Sequence, residues 1–245
     1  MLLASSSPDQ IPAELPTISL PSARTRRLAR LAIFLVLLGA TLLVLLHGVS
    51  KSISPLSQPI SDYALTRYGW LFDLAVVVLA LGLATLLCAL VAAKLVELGS
   101  GSFVATATCC VCLLVLVVFP DQGAAGGLSA SGWAHWTAAM VAFGGLLVTP
   151  VVLGSRHRTR TGCSRLPGIA RRVSYSAGGW FAVLLTGSVM ELVTPLRIWR
   201  LGGLIERALS ASEVMVAMLL AVWAWRGCSR KCSGSAERVE LSRVG

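Results

Sequence analysis

Six long apolar runs separate short polar segments along the chain, and they constrain the fold more than any other feature. They read as spans at about Leu28–Val49, Gly69–Ala93, Phe103–Phe119, Trp133–Leu153, Ser176–Thr194 and Ser210–Trp225. An earlier start, near Leu204, is the alternative for the last. A helix needs roughly 20 residues to cross about 30 Å of hydrocarbon, and lipid offers no partner to an unpaired backbone group. The third and sixth runs are short by that measure, so their ends are the least defined. No ten-residue alternating segments of the kind a barrel needs are present. The expectation is an all-α polytopic membrane protein with six transmembrane helices in one bundle. Composition agrees: 56% of residues are hydrophobic and only 13% charged, against about 25% charged in a soluble domain. Pro150, near the end of the fourth run, is expected to kink its helix, because it lacks an N–H and crowds the preceding turn.

The division expected is a disordered cytoplasmic tail over 1–27, a transmembrane domain over 28–226 and a second disordered cytoplasmic tail over 227–245. The N-terminal stretch contains Pro8, Pro12, Pro16 and Pro21 and is too long for the basic region of a secretory signal, so the first span reads as a retained anchor. Orientation follows from the basic residues. With the N-terminus inside, 16 Lys and Arg lie on the cytoplasmic side: four over 24–30, Lys94, six over 156–172 and five over 226–243. Five lie outside: Lys51, Arg67, Arg197, Arg200 and Arg207. Positive charge collects on the cytoplasmic side of membranes, so both termini are expected there, in the cell inner (plasma) membrane. This asymmetry accounts for the net charge of +10 without nucleic acid as a partner. Trp70, Trp133, Trp136 and Trp199 are expected at the outer interface, and Trp180, Trp223 and Trp225 at the inner one.

At about 1.5 Å per helical residue, His47, Asp73, His135, Glu191 and Glu213 all fall towards the outer side, with Glu213 deepest at about 19 Å from Arg226. A carboxylate at depth is costly unless it is paired, protonated or facing water. Glu206 precedes Glu213 by two helical turns on the same face. Together with Asp62, Asp121 and Arg207, these residues form the candidate outer polar cavity: His47, Asp62, Asp73, Asp121, His135, Glu191, Glu206, Arg207 and Glu213. The alternative reading of Glu213 is an internal bond that only fixes packing. Asp73 and His135 fall near helix N-termini, Glu191 and His47 near C-termini, with Arg197 or Arg200 placed to compensate Glu191.

Three functional classes remain open. The first is a noncatalytic protein binding a lipid headgroup or small solute in that cavity, with membrane lipids and another membrane protein as its partners. The second is a small proton-coupled transporter or channel using Glu213. The third is an intramembrane enzyme acting on a lipid or quinone, with His135 and a carboxylate as acid and base. No catalytic residue is assigned, and no cofactor or metal is expected. The weighed exceptions are zinc on His157, Cys163, Cys228 and Cys232, and one haem between His47 and His135. Cys88, Cys109, Cys110 and Cys112 read as small packing residues within the spans. Nucleotide-binding and hydrolase motifs are absent from the sequence.

Four segments carry a family resemblance. Ile60-Ser-Asp-Tyr-Ala-Leu-Thr-Arg-Tyr-Gly-Trp70 leads directly into the second span. Val118-Phe-Pro-Asp121 follows the third, Ser131-Gly-Trp-Ala-His-Trp136 opens the fourth, and Gly203-Leu-Ile-Glu-Arg207 precedes the sixth. In order and spacing they resemble the DUF998 family of prokaryotic membrane proteins over about residues 30 to 226. Asp121 directly follows Pro120, which departs from the family's Phe-Pro-x-Asp spacing. The resemblance implies six helices and a polar outer face, with Asp62, His135, Glu206 and Arg207 at family-pattern positions. It implies no activity.

Overall fold

The computed structural model describes residues 21–120, 129–156, 165–193 and 200–227. Six helices account for most of them: α1 (Ala23–Val49), α2 (Gly69–Ala92), α3 (Gly101–Val118), α4 (Ala130–Arg156), α5 (Leu166–Val193) and α6 (Gly202–Arg226). A short 3-10 helix (Ile60–Leu65) lies between α1 and α2. All six long helices have the length and hydropathy to cross a membrane. Each lies against its sequence neighbours, and α6 returns to α1 and also touches α2 and α4. The result is a closed bundle, and the chain is a multi-pass membrane protein. Its lipid-facing surface exposes large apolar side chains such as Phe34, Val44 and Leu81.

Three helices start five or more residues before the spans read from hydropathy. The Ser22 side chain accepts the Thr25 amide at 3.1 Å and caps α1, so the last residues of the segment read as a tail form its first turn. α5 begins ten residues before Ser176, because Arg171 and Arg172 lie within it near its end, where long basic side chains can reach the interface while their stems stay on apolar surface. α6 begins at Gly202, which places Arg207 inside the helix and not in a loop. The α1–α2 contact is close: a Cβ on Gly82 would approach Val36 to 2.9 Å, as expected where small residues let membrane helices meet.

The main core lies between α1, α2, α4 and α6, and includes Leu86, Leu90, Leu153 and Leu220. Trp223, three residues from the end of α6, is buried there at 1% exposure, so its ring meets neighbouring helices. Trp225 keeps an end position, with the Arg30 guanidinium 5.8 Å from its ring. Trp180 falls in the middle of α5, because that helix starts early. Pro150 sits inside α4, which continues through it to Arg156. The preceding Thr149 is fully buried, 2.8 Å from the Thr106 hydroxyl and 3.2 Å from the Ser102 carbonyl. Thr106 also lies 2.9 Å from that carbonyl. Two hydroxyl protons serve three contacts, so α3 and α4 are tied by a shared network.

Candidate functional site

Residues from three distant segments converge at one end of the bundle: the last turn of α1, the chain leading into α2, and the first turns of α6. His47 ends α1. Its Nδ1 lies 2.6 Å from the Leu43 carbonyl. A carbonyl only accepts, so Nδ1 carries the proton and Nε2 presents a lone pair. Arg207 Nε donates to that lone pair at 2.7 Å. Arg207 Nη1 donates to the carbonyls of Gln58 and Gly203, both at 2.8 Å. The planar fork of arginine suits this task, since one group meets acceptors from separate segments in fixed directions.

Glu206, the adjacent residue, accepts the Ile60 amide at 2.9 Å and so holds the first residue of the 3-10 helix. Gln58 is held from both ends: its Oε1 accepts the Ser54 amide at 2.7 Å, and its Nε2 donates to Asp62 at 3.3 Å. Tyr63 is fully buried, its ring centroid 5.0 Å from that of His47 and 5.9 Å from the Arg207 guanidinium carbon. Gly203 is required by close approach. A Cβ there would overlap the Gln58 carbonyl oxygen, while the neighbouring Leu204 amide donates to Leu56 at 3.1 Å. These contacts clamp the loop between α1 and α2 onto α6.

The structure therefore gathers His47, Asp62, Glu206 and Arg207 from the expected polar set. Asp73 is half-buried on the second turn of α2 and makes no hydrogen bond or ion pair among the described residues. His135 is buried in α4, with Nδ1 2.7 Å from the Phe119 carbonyl, and it fastens the end of α3 to α4. Glu191 is exposed in the last turn of α5. Glu213 lies near the middle of α6 with Oε1 inaccessible and no partner among the described residues. Asp121 lies outside the described residues, as do His157, Cys163, Cys228, Cys232 and Arg197. The haem reading loses its first ligand, because both ring nitrogens of His47 are engaged. Among the described residues, no three His, Cys, Asp or Glu side chains are grouped to hold a metal.

Sequence reasoning missed Gln58, Tyr63 and Gly203 as members of this cluster. Two of them lay in the motifs that carried the resemblance, so order in the chain was the available signal. Beside the clamp is an open depression of about 480 Å³, lined by residues 49–52 and 65–68. It contains Lys51 and Arg67, four hydroxyl side chains and no acidic side chain. Arg67 lies over the Tyr68 ring at 4.5 Å and donates to its hydroxyl.

The family described as proteins of unknown function, DUF998, matches residues 31–223. The chain belongs to the DUF998 family. No curated protein and no solved structure matches it. The matched region of this DUF998 chain spans His47 through Glu213 and so takes in the whole clamp. Segments 60–70 and 203–207 lie far apart along the chain and meet there through Ile60 and Glu206.

Proposed function

We propose that this DUF998 protein is a noncatalytic integral membrane protein that binds a lipid headgroup or small solute at the clamped end. In this reading that end faces away from the cytoplasm, and both termini lie inside, in the inner (plasma) membrane. The lysine and arginine asymmetry of the sequence supports this orientation. The observation that carries the binding reading is the basic depression beside the clamp, where Lys51 and Arg67 meet hydroxyl groups without an opposing carboxylate. Two further groups support it. Arg207 Nη2 and the Tyr63 hydroxyl are buried without a hydrogen-bond partner among the described residues. A buried donor left unmatched costs stability, and a bound acceptor removes that cost. The clamp in turn braces the depression, because its walls begin directly after His47 and Tyr63.

Native mass spectrometry of the full chain in mild detergent tests the reading. The comparison is with the double variant Lys51→Ser/Arg67→Ser, whose side chains lie outside the clamp. A lipid or solute retained by the wild type and lost from the folded variant is expected. Equal retention by both proteins refutes a site at this depression.

A further inference from the structure

Glu213 is independent of the clamp and is not used by the binding reading. It lies near the midpoint of the 25-residue α6. Residues 209, 216, 217 and 220 occupy the same helical face, and all four are at most 2% exposed. Glu213 therefore lies on the face turned to the bundle; the residue is half-buried and its Oε1 is inaccessible. That oxygen has no hydrogen-bond partner among the described residues. Among the described residues, no side chain of the helices packed against α6 forms an ion pair or a hydrogen bond with Glu213. His47 of α1 is occupied by Arg207, Asp73 lies in the second turn of α2 and Glu191 in the last turn of α5.

An ionised carboxylate there has no hydrogen-bond or ion-pair partner among the described residues to offset the hydration that its buried oxygen loses. A carboxylic acid is neutral and can remain there. We propose that Glu213 is a proton-binding site in the bundle core, a carboxylic acid that exchanges its proton with the medium and is reactive towards a lipid-soluble carbodiimide. In that reaction the acid proton moves to one carbodiimide nitrogen and the carboxyl oxygen bonds the central carbon. An acyl shift to nitrogen then leaves a stable N-acylurea, with no leaving group. The ligand is the proton, and the residue's partial exposure gives the reagent access.

The test treats the full chain in phosphatidylcholine nanodiscs with dicyclohexylcarbodiimide, followed by intact-mass measurement and peptide mapping. A single adduct on Glu213 is expected, declining several-fold as the medium passes from mildly acidic to alkaline. Glu213→Asp should retain the adduct and Glu213→Gln should lose it. Infrared difference spectra against Glu213→Gln should show the carbonyl band of a protonated carboxyl, a readout that does not depend on reagent access. Labelling of Asp73 or Glu191 in preference to Glu213 overturns the proposal. So does a yield that does not change with pH, or the absence of the infrared band in acidic medium.

Discussion

Arg207→Ala is the sharpest perturbation of the clamp. It removes the donor to His47 Nε2 and the donor to the Gln58 carbonyl. The Gly203 carbonyl lies one helical turn back and can keep its intrahelical partner, so the first two bonds dominate. An acceptor orphaned inside a protein costs about 1–3 kcal/mol. Arg207 is half-buried, which favours the lower part of that range, and the two losses together predict about 2–4 kcal/mol. Reversible unfolding in mixed micelles, followed by tryptophan fluorescence, measures this directly. Arg207→Lys should recover only part of the loss, because an ammonium cannot reproduce the fixed fork. His47→Ala and the double variant complete a cycle. Residues in one network couple by about 0.5–3 kcal/mol, so the two losses should not add. A loss for Arg207→Ala within about 0.5 kcal/mol of zero, the range of an ordinary surface change, would refute the clamp. Strict additivity with His47→Ala would refute the bond between them.

Two further outcomes follow from the packing. Gly203→Ala should destabilise by about 1–3 kcal/mol, the usual cost of overpacking, and should make the loop over 50–68 more sensitive to protease. The overlap is with the Gln58 backbone, which a side-chain rotation cannot relieve. Thr149→Val should cost about 1 kcal/mol in the same unfolding assay, and Thr106→Val/Thr149→Val should cost less than the sum of the single losses, since the hydroxyls share one network.

All six helices were legible in the sequence, because hydrocarbon admits few alternatives to a continuous apolar helix. Their ends were less so. Arg171 and Arg172 in α5, and Glu206 and Arg207 in α6, lower local hydropathy where the backbone is already helical. Hydropathy measures what lipid accepts, and a helix end turned towards protein is not bound by that limit. Trp223 shows the same effect. An indole near a span end suggests an interface, yet it is covered by neighbouring helices. The site was legible in part. The chemistry of His47, Asp62, Glu206 and Arg207 marked them as costly in a membrane. Their meeting depends on α6 returning to α1, which no local pattern encodes. Gln58 carried no signal of its own, since it contributes through its backbone carbonyl as well as its side chain.

The bond from Arg207 to His47 joins residues 160 positions apart. A chain emerging from its N-terminus makes the α1–α2, α3–α4 and α5–α6 hairpins from neighbouring segments, each closing only the loop between adjacent helices. The clamp must wait for the last helix. Until α6 arrives, Gln58 and Ile60 lack their long-range partners, and the loop between α1 and α2 rests on those two helices without α6. Locking that loop is thus a signature of finished assembly: a chain halted after α5 can hold five helices in the bilayer and still present an unlatched surface to the cell's quality control.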